Sequence, residues 1–293
     1  MRKLSVVILM ITTLVLGCSK KPNDRYKLLL DWFPNANHLP LIIAEKKGIF
    51  QKHGIFLEIL QLQDAPSTLA YLKNNQADLA VYYYPSALKG YKKYPHYQII
   101  GKLFDEPLFC LMSKTPLTLE AFSDKTLGSY GDFFSLKLVE HLKRQSYTFS
   151  KVLYSHCDQT FLLYFDQIDV ASGSINVEAA QLKQRFPLLS ILSWQDLNIP
   201  KHPELVVIAQ DSVLEKDPLF KQRFQAALQE AITFCQAYPN QAIECYFNAF
   251  PEKQRSKGWE IESCLYTIAL FSKTQTWDPY EEQHFDKWLK AGN

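Results

Sequence analysis

Short apolar runs alternate with amphipathic stretches along most of this 293-residue chain, the pattern of α/β architecture. Residues 26–30 form an apolar run of strand length. The turn residues Pro34 and Asn35 follow, and then an aliphatic stretch. That stretch is predicted to be a helix with Asn37 as N-cap, Pro40 in its first turn and Gly48 just past its end. Residues 55–62, 78–85, 98–103 and 108–112 read as further strands, 126–131 as a strand and turn, and 151–154, 168–171 and 205–209 as strands again. Helices are predicted between them: one opened by Pro66 and Ser67, then 86–91, 136–143, 159–165 and one running to Lys183. The last part of the chain is helical, over 218–237, 241–250, 260–271 and 279–290. In the first of these, Phe220, Phe224, Leu228 and Ile232 recur every four residues, a core-facing stripe.

Side chains with chemistry crowd the first strand end. Asp31, Trp32, Phe33, Asn35, Asn37 and His38 lie between the strand and the helix start, where ligands bind in open α/β sheets. The alternative is that Trp32 and Phe33 are core aromatics and His38 is a surface residue. Two other segments have the same strand-to-helix form. Gly128 to Gly131 feeds a helix opened by Asp132, Phe133, Phe134 and Ser135, and Gly173 leads through Asn176 to Glu178.

Composition adds limits. The chain is 47% hydrophobic and 21% charged, with net charge +2, which gives no electrostatic case for nucleic acid. An aromatic content of 14% suits either a Phe- and Tyr-rich core or an aromatic cleft. Residues 1–17 read as a signal peptide: Arg2 and Lys3, an apolar run over 4–16, and then Leu16-Gly17-Cys18. The run is too short and wrongly flanked for a typical membrane span. Leu-x-Gly-Cys is the pattern of a bacterial lipobox, so Cys18 is the expected lipidation site and residues 18–25 a tether. Of the other cysteines, Cys110 reads as a buried thiol, and Cys235 and Cys245 are placed to approach each other across a helix junction. No cysteine or histidine spacing matches a metal motif, and no G-x-S-x-G nucleophile motif is present.

The first strand end carries a resemblance. Leu30, Trp32, Pro34, His38, Pro40, Ala44, Lys47, Gly48 and Phe50 fill the pattern L-x-W-x-P-x-x-x-H-x-P, aliphatic run, A-x-x-K-G-x-F. This resembles the opening of the periplasmic-type binding proteins that include the pyrimidine-precursor receptors of thiamine-salvage ABC transporters. The likeness runs from about Tyr26 to the C-terminus. It implies a two-lobed α/β fold of the type II periplasmic binding protein kind, each lobe a mixed sheet flanked by helices, with a ligand cleft between. Asp105-Glu106-Pro107 would mark the hinge approach. Residues 26–107 and 205–293 would form a discontinuous first lobe, and 108–204 the second. The resemblance also implies a monomeric receptor on the extracytoplasmic face of a bacterial membrane, held by lipid and working with an ABC permease and ATPase.

Enzymes that make the thiamine pyrimidine phosphate resemble the same pattern but use pyridoxal phosphate. Their lysine and histidine fall here at Tyr82 and Ser86, and their cysteine-rich run is missing from residues 202–207. Tyrosine cannot form a Schiff base, so the reading is a receptor with no catalytic residues, cofactor or metal. A receptor for another small solute, such as a sulfonate, taurine or nitrate, is the alternative. The candidate ligand residues are Asp31, Trp32, Asn35, His38, Tyr82, Tyr84, Glu106, Phe134, Ser135, Asn176 and Glu178. Trp32 and one of the three tyrosines would sandwich a flat ring. Asp31, Asn35 or Glu178 would accept from an exocyclic amine. Asp105 and Glu106 are further acceptors or surface charges. His38 either orders the turn or touches the ligand. Strand alternation puts Tyr82 and Tyr84 on one face and Tyr83 on the other.

Overall fold

A computed structural model describes residues 25–61, 68–155 and 158–291, and within it the side chains of 255–257 are left aside. The expected signal peptide, Cys18, most of the tether and Cys157 lie outside the described residues. Ten strands form two five-stranded mixed sheets. The first holds β1 (Tyr26–Leu29), β2 (Leu57–Leu60), β3 (Leu79–Tyr83), β4 (Tyr97–Lys102) and β10 (Leu205–Gln210), in the order β2-β1-β3-β10-β4. The second holds β5 (Phe109–Ser113), β6 (Thr126–Ser129), β7 (Lys151–Tyr154), β8 (Val170–Ser174) and β9 (Ser190–Ser193), in the order β7-β6-β8-β5-β9.

The two sheets share one plan. In each, three parallel strands lie together: β2, β1 and β3 in the first, and β7, β6 and β8 in the second. The next strand is antiparallel to its neighbours and arrives from the other lobe: β10 in the first sheet and β5 in the second. The crossings fall between β4 and β5 and between β9 and β10. The carboxyl ends of β1, β3, β6 and β8, and the starting ends of β5 and β10, therefore meet between the lobes.

Burial explains why these segments are strands. β10 reads Leu-Val-Val-Ile-Ala-Gln and is buried at every position, as expected of a central strand covered on both faces. Its first-sheet neighbours pack under the helix Phe220–Ala237, whose stripe Phe220, Phe224, Leu228 and Ile232 is fully buried. Phe224 stacks on Phe50 at 5.5 Å. Gly48 has φ +71° and ends the first long helix, Leu39–Lys46, as the left-handed residue that glycine favours.

Some expectations are corrected. The cap at the first helix start is Asn35, not Asn37: a one-turn 3-10 helix, Ala36–His38, precedes Leu39–Lys46. The strand expected over 78–85 stops at Tyr83, and Tyr84 with Pro85 begins the helix Tyr84–Tyr91, so Tyr84 is outside the strand alternation. Strand β9 and the helix Asp211–Lys216 had no strong signal in the sequence. Cys110, Cys235, Cys245 and Cys264 are free thiols. Cys235 lies within electrostatic reach of Cys264 and Cys245, and mainly its burial raises its pKa. Among the described residues, no helix is long and apolar enough to cross a membrane.

Candidate ligand-binding cleft

The turn after β1 is held by a histidine that does not face solvent. Asn35 caps the 3-10 turn by accepting from the Asn37 N–H at 2.9 Å. His38 answers from three residues on, its Nδ1 accepting the Asn35 N–H at 3.2 Å. Nδ1 is therefore unprotonated, and the proton on Nε2 is donated to Asp31 Oδ1 at 2.8 Å. His38 has 0% exposure, so it fixes Asp31 from behind and does not touch the cleft. Tyr246 braces the same turn, donating to the Pro34 carbonyl at 3.2 Å.

The second lobe supplies the facing wall. Asp132 caps the helix Phe133–Arg144, accepting from the Ser135 N–H at 2.8 Å. Phe134 is buried behind the wall, edge-on to Tyr83 at 5.4 Å and to Phe109 at 5.2 Å. Tyr130 crosses the gap to Trp32, edge to face at 6.0 Å. At the end of β8, Glu178 accepts from the Ser174 N–H at 2.8 Å and from the Ser174 hydroxyl. Gly173 makes this possible, because a Cβ there would lie 3.0 Å from the Glu178 Cβ. Burial raises the Glu178 pKa, against the lowering effect of the Ser174 hydrogen bonds.

Together these groups enclose a cavity of about 220 Å³ between the lobes. Four carboxyls line it, Asp31, Asp132, Glu178 and Glu204, with five aromatics, Trp32, Tyr83, Phe109, Tyr130 and Phe134. Among the described residues, no lysine or arginine lines it. Glu204 stands where β10 begins and accepts from the Leu108 N–H at 2.8 Å, so it joins the two crossing segments. Burial, and then the charges of Asp31, Glu178 and Asp132, push its pKa up to about 8, against the opposing pull of the Leu108 N–H. Such a wall accepts hydrogen bonds, stacks flat rings and repels anions. Among the described residues, no group of His, Cys, Asp and Glu is arranged to hold a metal ion.

Of the candidates named from sequence, Asp31, Trp32, Asn35, Phe134, Ser135 and Glu178 are brought to this cavity. Trp32 is 45% exposed and lines the cleft, so the core-aromatic alternative does not hold for it. Five other candidates lie elsewhere. His38 is behind the turn. Tyr82 lines a separate pocket with Ser86, Lys89 and Phe133. Tyr84 is fully buried against Trp277, Phe285 and His202. Glu106 opens onto a separate groove, 3.8 Å from Lys201 Nζ, and Asp105 pairs there with Lys102 at 2.7 Å. Asn176 is fully buried and bridges the lobes, donating to Asn37 Oδ1 at 2.6 Å and to Thr267 Oγ1 at 2.8 Å. Of the three tyrosines offered as a partner for Trp32, the one at the cavity is Tyr83, and sequence reading did not select Phe109, Tyr130, Asp132 or Glu204. The rule that ligands gather at the carboxyl ends of strands would have found Tyr130 and Asp132, which follow β6.

Comparison with known proteins agrees with this architecture. The profile of the family described as NMT1/THI5 like matches residues 35–242. A putative thiamine biosynthesis protein of Haemophilus influenzae is 24% identical over 78% of this chain and 75% of its own length. A 4-amino-5-hydroxymethyl-2-methylpyrimidine phosphate synthase of Legionella pneumophila is 26% identical over 86% of this chain and 81% of its own. Among solved structures, the ligand-binding component of an ABC-type import system from Staphylococcus aureus superposes with TM-score 0.67 at 16% identity, covering 91% of each chain. The alkanesulfonate-binding protein of Xanthomonas axonopodis superposes with TM-score 0.67 at 12% identity, covering 90% of each. The fold is that of a two-lobed periplasmic binding protein, and the chain belongs to the NMT1/THI5-like family.

Proposed function

We propose that this protein is the extracytoplasmic solute receptor of an ABC importer, and that it takes a thiamine pyrimidine precursor of the hydroxymethyl- or formylaminomethyl-pyrimidine type. One observation carries the reading: the cavity joins aromatic walls to four carboxyls, and no lysine or arginine among the described residues lines it. An aminopyrimidine has a flat face for Trp32 and Tyr130 and an exocyclic amine for the carboxyls. Cavities of about 300–1,000 Å³ take drug-sized ligands, so one of about 220 Å³ suits a single ring.

The competing chemistries fit poorly. A sulfonate or nitrate would meet like charge on several sides. One such pair at about 4 Å costs roughly 4 kcal/mol in a partly shielded site. Pyridoxal phosphate does not fit the residues present. Among the described residues the cavity has no lysine to bind the aldehyde, and a phosphate would face the same carboxyls. The receptor reading thus carries no catalytic residue. The Legionella relative is named as a pyrimidine phosphate synthase, which is the reason to test this directly.

On this reading the mature protein is a monomer held at the membrane by lipid on Cys18, with a permease and an ATPase as partners. The test is calorimetric titration of the purified protein with hydroxymethyl-, aminomethyl- and formylaminomethyl-pyrimidines beside an alkanesulfonate. Tight binding of a pyrimidine and none of the sulfonate is expected, and the reverse result refutes the ligand class. Cys18→Ala is expected to release the protein from the membrane fraction. Retention there, with no acyl group on the wild type, refutes the anchor.

A further inference from the structure

The C-terminal helix, Pro279–Lys290, packs on the first sheet and also grips the second lobe. Phe285 and Leu289 are buried in one cluster with Leu29, Ala80, Val206 and Ile208 of the first sheet. Trp288 stacks on Phe285 at 5.5 Å and reaches the helix Phe133–Arg144, which packs on the second sheet through Leu138 and Leu142. Its ring lies 6.0 Å from Phe134 and 5.3 Å from His141, two positions seven residues apart and so on one face of that helix. Its indole N–H donates to His141 Nδ1 at 3.0 Å. Just past the end of the C-terminal helix, the Ala291 carbonyl accepts from Arg144 at 3.0 Å. The helix gripped in this way starts with Phe134 and Ser135 behind the cap Asp132, the facing wall of the cavity. An indole N–H only donates, so His141 Nδ1 is bare. The neutral ring then carries its proton on Nε2, which donates to the Leu197 carbonyl at 3.1 Å. The Gln145 carboxamide stands 2.6 Å from Nε2, and a proton there requires it to present its oxygen.

We propose that the C-terminal helix is an acid-released clasp between the lobes: the Trp288–His141 bond holds them together while His141 is neutral, and a proton on Nδ1 releases it. The effect on affinity rests on the receptor reading above; the effect on shape does not. The step is simple. Nδ1 takes a proton from water, the acceptor disappears, and two N–H groups then face each other across the seam. The surroundings give the charged ring no support in the closed form. On its own helix stand Lys137, Glu140, Lys143 and Arg144, and Glu140 is 3.0 Å from Lys137 and 3.9 Å from Arg144. On the C-terminal helix stand Asp286, Lys287 and Lys290, with Asp286 paired to Lys290. Asp196, next to Leu197, accepts from the Ser193 N–H and hydroxyl, each at 2.7 Å. Among the described residues no carboxylate pairs with His141. Burial lowers its pKa from the ordinary 6.5, against the Leu197 carbonyl and with the Arg144 charge. When the lobes part, the ring meets water and its pKa returns toward that ordinary value. The closed form therefore binds fewer protons than the open one, and it loses ground as the pH falls below 6.5.

The test compares wild type, Trp288→Phe and His141→Asn between about pH 7.5 and about pH 5.5. Phenylalanine keeps the ring contacts and removes the donor. Asparagine keeps an acceptor near the place of Nδ1 that acid does not protonate. Over this range the wild-type affinity for 4-amino-5-hydroxymethyl-2-methylpyrimidine should fall by about two- to tenfold, the worth of one bond between the lobes. Small-angle scattering of the ligand-free wild type should show a larger particle at the acid end. Trp288→Phe should be weaker by that same factor at neutral pH and should lack the acid step in both readouts. His141→Asn should stay within a few-fold of neutral-pH wild type and also lack the step. All three proteins share the same cleft carboxyls, so the titration of those groups cancels in the comparison. Nitrogen-15 NMR of wild-type His141 at neutral pH should show the Nε2–H tautomer, a readout that needs no variant to fold. An acid step of equal size in wild type and Trp288→Phe, or His141 found as the Nδ1–H tautomer or the imidazolium at neutral pH, overturns the proposal. If no pyrimidine binds wild type, the ligand reading fails, and the scattering and the tautomer still decide the clasp.

Discussion

Replacing Trp32 with alanine separates a ligand platform from a structural aromatic, and the structure sets the size of both effects. The indole is 45% exposed, and its ring neighbours are Tyr130 at 6.0 Å and Phe33 at 5.8 Å. Phe33 is itself exposed, and Trp32 belongs to no core cluster. The stability at stake is thus an edge contact or two, each worth about 0.5–1.5 kcal/mol when well packed and less when half in water. For a chain of this size about 1 kcal/mol moves the melting temperature by roughly 2–4 °C, so a small shift is expected. Binding should respond differently. A heterocycle stacked on an aromatic side chain contributes about 1–3 kcal/mol by alanine substitution, which is about five- to 150-fold in affinity. Calorimetric titration with the hydroxymethyl-pyrimidine, paired with ligand-free thermal melting, reads both. Unchanged affinity refutes the platform. A loss of about 3–5 kcal/mol in stability, the cost of truncating a core aromatic, refutes the placement in the cleft.

Three further outcomes are expected. His38→Ala removes two hydrogen bonds and strands the buried Asn35 N–H, so it should cost about 3 kcal/mol of stability and also weaken binding by releasing Asp31; an unshifted melting temperature with lost affinity would instead make His38 a ligand contact. Asn176→Ala removes both bridging bonds between the lobes without touching the cavity wall, so affinity should fall by up to about tenfold while small-angle scattering shows a more open particle; unchanged affinity and shape would refute the bridge. His202 is buried with its pKa lowered to about 3, chiefly by desolvation, and its Nε2 has no partner among the described residues. The native state therefore binds fewer protons than the unfolded chain between about pH 6.5 and about 3, and stability falls by up to about 1.4 kcal/mol per unit as pH drops through that range; denaturant melts of His202→Phe should show a shallower acid slope, and an equal slope would refute the assignment.

Much of the scaffold was legible because most strands had their own apolar run and the cleft-facing helices their own start signals. The aliphatic run of β10 and the four-residue stripe of Phe220–Ala237 needed no tertiary knowledge. Other features depended on contacts that periodicity does not carry. Tyr82 and Tyr83 do take opposite faces of β3, but both faces are covered, so alternation could not say which one meets the second lobe. Pro85 at the second position of a helix then removed Tyr84 from the strand. Asn35 and Asn37 are both good caps, and the choice was made by His38 standing three residues after Asn35. β9 reads Ser-Ile-Leu-Ser, is partly exposed throughout and sits at a sheet edge, so its pattern was weak. Glu204 was hidden for a different reason. A single acid before an apolar strand looks like any strand start until the second lobe closes over it.

The same contacts explain how a cavity of this kind can report its occupant. Polar bonds that join the lobes include Asn176 with Asn37 at 2.6 Å and with Thr267 at 2.8 Å, the Ser263 hydroxyl donating to the Asn176 carbonyl at 2.6 Å, Gln184 with Glu262 at 2.7 Å, Trp288 with His141 at 3.0 Å, and Arg144 donating to the Ala291 carbonyl at 3.0 Å. Lys89 lies 4.0 Å above the Phe133 ring beside them. Each such bond is worth about 0.5–1.5 kcal/mol net, because water replaces it when the lobes part. Closure without ligand must also bring four carboxyls together around one small cavity, which opposes it. The two effects oppose one another in the empty protein. A ligand that offers donors to the carboxyls and a face to Trp32 touches both lobes only when they are together. Its differential affinity for the closed form is then what shifts the population. Asn37 connects the two events directly, since it lines the cavity and accepts the Asn176 amide. On the receptor reading proposed above, this coupling is what lets a transporter partner distinguish full from empty. On the same reading, the carboxyls proposed to select the ligand are also the charges that oppose closure of the empty cleft.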